Sequence, residues 1–178
     1  MSESADHGSA DKQIERAIKQ YDRLQSFFPR IEARAAFLFA LDIALAGITA
    51  ANLPGVGCAR PALAVAAVLA ASLALGILFA LLVFTTHLAN PSRKSLLYFG
   101  DIAAMAAADY QEADAKETAD QFLDDLRRQN WRNAQILTHK YRWAGLSFRA
   151  TAAAIPLWLL FLIMNAYLTG HAPVWKPG

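Results

Sequence analysis

Three stretches of this chain are apolar over a greater length than a soluble fold of its size accommodates. A helix needs about 20 apolar residues to cross the hydrocarbon layer of a bilayer. Residues 35 to 53 read "AAFLFALDIALAGITAANL", bounded by Arg34 on one side and "PGVG" on the other. Residues 61 to 89, "PALAVAAVLAASLALGILFALLVFTTHLA", exceed the requirement, so this segment can tilt or project past the lipid. The third stretch runs from Ala144 to Leu168. Buried core helices are also apolar, but three of them leave too little polar chain among 178 residues to wrap such a core. The expected fold is an all-α integral membrane protein with three transmembrane helices plus a small cytoplasmic helical bundle.

Composition agrees. The chain is 56% hydrophobic and only 18% charged, where a soluble domain carries more charge. Its formal net charge of +2 is too small, and its basic residues too scattered, for a nucleic acid polymer as partner. Cys58 is alone, which excludes an internal disulfide framework and a thiolate metal site. His7, His87, His139 and His171 form no pair at metal-ligand spacing, so no metal site is expected. The opening "MSESADHGSAD" is polar and lacks the pattern of a signal peptide, which leaves insertion to the internal apolar segments.

Lys and Arg set the orientation. The segment before the first span carries Lys12, Arg16, Lys19, Arg23, Arg30 and Arg34, and the link between spans one and two only Arg60. Arg93, Lys94, Lys116, Arg127, Arg128, Arg132, Lys140 and Arg142 precede the third span, and Lys176 alone follows it. Both long polar pieces are thus expected in the cytoplasm, and the C-terminus outside. The resulting plan is a disordered N-terminus at 1–11, a cytoplasmic helix at 12–34 and a first span at 35–53. An external loop at 54–60 and a second span at 61–89 follow. A cytoplasmic helical region at 90–143, a third span at 144–168 and an external tail at 169–178 complete it.

The polar pieces read as amphipathic helices. Ile14, Ile18, Tyr21, Leu24 and Phe28 make a helical stripe that Pro29 interrupts just before the membrane. Leu97, Ile102, Met105, Ala106 and Tyr110 suggest a second helix with a kink near Gly100. A third begins near Thr118 and runs through Trp143 without Gly or Pro, with Asp120, Asp124 and Asp125 in its first turns, where negative charge suits the macrodipole. Phe122, Leu126, Ile136 and Leu137 give it apolar contacts, but Gln129, Asn130 and Asn133 interrupt the seam. A bundle this small is marginal alone, and oligomerisation would relieve that.

No catalytic constellation is present: no nucleophile elbow, no phosphate-binding glycine loop, no carboxylate and histidine set at metal spacing. Anion binding has better support. Arg128, Arg132, Gln135, His139 and Arg142 follow one another at three- and four-residue steps and share a helical face, with Arg127 and Trp131 on the adjacent stripe. Arginine offers a fork matched to phosphate, and Trp or Tyr can stack on a base. Arg93 and Lys94 open a segment with Tyr98 and Phe99 that could close over the same pocket. The alternative assigns Arg93, Lys94, Lys140 and Arg142 to the positive-inside rule, and is the stronger for Lys140 and Arg142. Tyr141 and Trp143 fall where an interfacial aromatic belt is expected.

Asp42 stands apart. It lies about 12 Å along the helix from Arg34, deep in the layer, where a charged Asp costs about 2.5 to 3.5 kcal/mol on insertion scales. Protonation or pairing with a neighbouring span, His87 being one candidate, would reduce that cost. Asp42 is accordingly a candidate for the membrane output step, with a tolerated acid making one interhelical hydrogen bond as the alternative. Pro156 offers a hinge in span three.

Three segments together resemble a known family. "IEARAAFLFALDIAL" resembles the acid-x-Lys-Ala opening of the first span in the transmembrane effectors of bacterial Pycsar antiphage systems, with Glu32, Arg34 and Asp42 at the matching places. "SLLYFGDIA", residues 95 to 103, is similar to the family segment after span two. "DDLRRQNWRNAQILTHKYRWAG" resembles the segment leading into the last span. The match covers roughly residues 20 to 165, with Arg for Lys at 34 and Asn for Ile at 130. The resemblance implies a sensor of a cyclic pyrimidine nucleotide (cUMP or cCMP), made by a cognate cyclase during phage infection. It also implies impairment of the inner membrane and abortive infection. Tyr98, Phe99, Gly100, Asp101, Gln129, Asn133, Lys140 and Tyr141 are the motif residues that carry over. No cofactor is implied.

Two readings follow from these observations. In one, a cyclic nucleotide binds the region 90–143 through Arg93, Lys94, Tyr98, Arg127, Arg128, Trp131, Arg132 and Lys140, and the unbroken helix passes the event into span three. In the other, the chain is a non-enzymatic membrane adaptor whose bundle docks a protein partner.

Overall fold

A computed structural model of the chain describes residues 3–53, 60–85 and 95–169. Among these residues there are six helices and no strand: α1 (Glu3–Gln25), α2 (Phe27–Ala51), α3 (Arg60–Thr85), α4 (Phe99–Ala103), α5 (Ala107–Lys116) and α6 (Ala119–Thr169). The helices α2, α3 and α6 are long and apolar enough to cross a membrane. His87, Arg93, Lys94 and nearly all of the expected external loop and tail lie outside the described residues.

The described residues fall into two compact units, which divide at Arg30/Ile31 and at Thr138/His139. The span unit holds α2 from Ile31, α3, and α6 from His139. Its core joins Leu45 of α2, Ala66, Leu69 and Leu73 of α3, and Ala154 and Phe161 of α6. Small residues at the contact let helix backbones approach closely, which is how spans associate where apolar burial gives no advantage over lipid.

The partition of residue types in this unit differs from that of a soluble bundle. Phe37, Val68, Leu75, Phe148 and Ile163 face outward, while Asp42, Thr49, Ser147, Thr151 and Asn165 are buried. Outward apolar and inward polar groups suit a hydrocarbon solvent.

Polar contacts set the register of the three helices. Lys140 Nζ reaches Glu32 Oε1 at 2.9 Å, and Thr151 Oγ1 lies 3.1 Å from Asp42 Oδ2, so α2 and α6 advance together in the same direction. Lys140 also meets the Val83 carbonyl, and Ser147 the Gly76 carbonyl, seven residues on along α6 and seven back along α3. Seven residues make about two helical turns, so α3 runs antiparallel to α6 with one face held against it. The α6 helix continues through Pro156 without ending there.

The bundle unit holds α1, α4, α5 and the first part of α6. Ala17, Leu123 and Leu126 form its core, with Ile14, Tyr21, Leu97 and Phe122 packed around them. The stripe on α1 therefore passes through Ala17, and Ile18, expected on that face, is 40% exposed. Alanine at 17 admits α6 closely enough for Asn130 Nδ2 to donate to the Ala17 carbonyl at 2.9 Å. That bond accounts for an amide in the seam.

Other boundaries differ from expectation. Helix α1 begins at Glu3, within the stretch expected to be disordered. The chain breaks at Ser26 rather than at Pro29, whose ring falls in the first turn of α2, where no N–H is required. The segment after span two forms two short helices, α4 and α5, instead of one kinked helix. At the start of α6, Thr118 and Gln121 form a capping box: Thr118 N donates to Gln121 Oε1 at 3.0 Å and Gln121 N to Thr118 Oγ1 at 3.3 Å.

Candidate functional site

In the bundle unit the segment 95–101 is tied to α6 by Asp125. Ser95 Oγ donates to Asp125 Oδ2 at 2.7 Å, and Leu96 N to the same oxygen at 3.1 Å. The other oxygen, Asp125 Oδ1, pairs with Arg128 at 3.2 Å. Ser95 Oγ also accepts from the amides of Leu97 and Tyr98 at 3.1 Å, and Asp101 Oδ2 accepts from Ser95 N at 3.0 Å. Asp125, expected near a helix start for its charge, is 4% exposed and organises this loop.

The "YFGD" segment owes its shape to these bonds. Tyr98 folds back over position 100, where a Cβ would lie 2.7 Å from Tyr98 Cε1, so Gly100 leaves room for the ring. The Arg132 guanidinium sits 4.8 Å from the centroid of the Tyr98 ring, a cation–π contact. Beside this loop a cavity of about 250 Å³ is lined by Leu96, Lys116, Glu117, Gln121, Asp125 and Arg128. Burial, with Asp125 and Asp114 nearby, pushes the Glu117 carboxyl above its usual range.

The candidate ligand residues do not converge as a set. Tyr98, Arg128 and Arg132 share one region of the bundle unit. Arg128 is half-buried, held by Asp125 and more loosely by Asp124 at 3.8 Å, and its Nε donates to no acceptor among the described residues. Arg127 turns instead toward α1, donating to Gln13 Oε1 at 2.9 Å beside a second cavity with Lys12 and Arg16. Trp131 is 67% exposed and has no described ring or cation partner. Arg93 and Lys94 lie outside the described residues.

Lys140 belongs to the span unit. It is 5% exposed, pairs with Glu32, and donates to the Val83 carbonyl of α3. The positive-inside rule alone does not call for such burial. Trp143 likewise has a packing role, stacked on Phe79 of α3 at 5.8 Å, while Tyr141 stays exposed.

Asp42 is completely buried, and its environment is built around it. Thr151 Oγ1 lies 3.1 Å from Oδ2 and 3.0 Å from the Ser147 carbonyl, within reach of both. Oδ1 has no hydrogen-bond partner among the described residues. A Cβ at position 76 would lie 2.3 Å from Asp42 Oδ2, so the carboxyl occupies the space that Gly76 leaves on α3.

Sequence reasoning missed Ser95, Asp125 and Gly76. The serine before "LLYFG" was a usable signal, since Ser readily bonds the amides two and three residues on. Asp125 and Gly76 act through partners remote in sequence, and no local pattern marks them. Among the described residues no group of His, Cys, Asp or Glu could hold a metal ion.

These features define an all-α membrane protein with three spans and a small helical bundle bearing a polar, arginine-flanked loop. The family model described as Pycsar effector protein domain matches residues 16–165, and the chain belongs to that family. It is accordingly an antiphage membrane effector. No curated protein and no solved structure matches the chain.

Proposed function

We propose that this effector senses a cyclic pyrimidine nucleotide, cUMP or cCMP, through its bundle unit and responds by impairing the bacterial inner membrane, ending in abortive infection. The observation that carries the reading is the loop 95–101, bound to α6 by Asp125 and flanked on the same helix by half-buried Arg128 and Arg132. Guanidinium forks suit a cyclic phosphate, and Tyr98 offers a ring. Asp125 is the pivot: a ligand phosphate competing for Arg128 would loosen the loop's anchor. The same helix α6 carries Thr151, the partner of Asp42, which makes Asp42 the candidate output residue.

In this reading the N-terminus and the bundle are cytoplasmic, the C-terminus is periplasmic, and several copies assemble when ligand arrives. The signal comes from a cognate cyclase. A ligand acts only by favouring one state over the other. The chain catalyses nothing and takes no cofactor. Trp131 and Phe99, 67% and 77% exposed, favour a second reading in which the bundle docks a protein partner.

The test is a titration of the purified full chain with cUMP, cCMP, cAMP and cGMP, alongside membrane potential in cells supplied with each. Binding of a pyrimidine nucleotide with depolarisation is expected. No binding and no depolarisation sinks the proposal. Arg128→Gln with Arg132→Gln should abolish the response while insertion persists. Asp42→Asn should retain binding and lose membrane damage.

A further inference from the structure

A groove of about 750 Å³ opens on the span unit between α2 and α6. Arg34, Phe37 and Leu38 form one wall, and Tyr141, Gly145 and Phe148 the other. Because Glu32 meets Lys140 and Asp42 meets Thr151, the two helices descend together, and Arg34 comes level with Tyr141. The apolar residues Phe37, Leu38 and Phe148 follow below. From Tyr141 to Phe148 the helix advances about 10 Å. The groove is therefore polar and cationic at its rim and apolar along its length.

Two observations say what fits there. Glu32, close to the rim, is committed to Lys140, whereas Arg34 is exposed and has no hydrogen bond or ion pair among the described residues. At Gly145 an added Cβ would meet nothing within 4 Å, and Phe37 and Phe148 are 68% and 62% exposed. An occupant must bring an anion to Arg34 and a slender apolar chain to the floor at Gly145. We propose that this groove binds one anionic phospholipid of the bilayer, with its phosphodiester on Arg34 and an acyl chain over Gly145 between Phe37 and Phe148. A zwitterionic headgroup would bring its own ammonium to the guanidinium, so anionic lipid is preferred. The inference rests on the span unit alone and stands whatever the bundle senses.

The test uses the full chain in detergent, with phosphatidylglycerol or phosphatidylcholine added and retained lipid counted by native mass spectrometry. Wild type should retain one phosphatidylglycerol in preference to phosphatidylcholine. Arg34→Gln should weaken that by about tenfold, the loss of one charge-assisted contact, and Arg34→Lys should recover part of it. Gly145→Leu, which has room to fold, should exclude the lipid while leaving the thermal transition of the lipid-free protein in place. Equal retention of both lipids, or retention unchanged in Arg34→Gln, overturns the proposal. A third arm places Gly145→Cys in a Cys58→Ser background within phosphatidylglycerol bilayers. Absence of cross-linking is expected, and efficient cross-linking between copies would assign the groove to a second chain instead.

Discussion

Lys140 Nζ lies 2.6 Å from the carbonyl oxygen of Val83, so a lysine of α6 holds a carbonyl of α3 while its charge is matched by Glu32 of α2. The three spans are joined by one ammonium. Removing it leaves a buried carbonyl without this partner. Lys140→Met should destabilise the protein by about 1 to 3 kcal/mol. Glu32→Gln, at a side chain 41% exposed, should cost under about 1 kcal/mol. Chemical denaturation in detergent compares the two, and equal losses would show that the carbonyl contact contributes nothing beyond the ion pair.

Asp125 holds two donors of the 95–97 segment on one carboxyl oxygen. Asp125→Ala should cost about 1 to 3 kcal/mol in the bundle unit and expose residues 95–103 to limited proteolysis. The spans should remain protected. If cleavage is unchanged, the loop is held by its apolar contacts and not by Asp125.

Glu117 should give the bundle unit a pH dependence. Burial and the neighbouring Asp125 and Asp114 raise its folded pKa above the ordinary value of 4.5. The stabilising contribution is therefore complete below the unfolded pKa and is lost as pH rises through the folded one. Stability should fall over that window, and Glu117→Gln should flatten the fall. Melting curves of both proteins from about pH 4 to 7 check this, and parallel profiles would remove Glu117 as the cause.

Gly76 and Asp42 should show coupled energetics. Gly76→Ala alone forces a methyl against Asp42 Oδ2 and should cost about 1 to 3 kcal/mol. In an Asp42→Ala background the same change should cost under about 1 kcal/mol, since the obstructing atom is gone. Additive losses would mean that α2 and α3 relax apart independently of the acid.

Much of this architecture is legible in the sequence, because a bilayer demands apolar runs of unmistakable length. The three spans, the depth of Asp42 and the helical course from Thr118 through Trp143 need only one-dimensional patterns. Lys140 is different: its charge fits the positive-inside count, yet its burial depends on Val83 and Glu32, each remote in sequence. Ile18 fits the stripe on α1 by apolarity and helical spacing alone. Ala17 holds that place because α6 must come near enough for Asn130 to reach its carbonyl. Arg127, Arg128 and Arg132 share a short stretch of one helix, but their partners lie on α1, on α6 itself and in the 95–98 segment. Helical spacing tells which side chains share a face and is silent about what faces them.

The fit of Asp42 into the hollow at Gly76 makes two positions on different helices a single inheritable character. A side chain at 76 forces the carboxyl or the helices to shift, and loss of the acid leaves the glycine with a void in place of a neighbour. Relatives of this chain should therefore carry both residues or neither, and those with neither should fill the hollow from the α3 side. In such proteins the three spans have to pack without a buried carboxyl. Two letters of sequence, one per helix, would then divide the lineage into acid-bearing and acid-free branches.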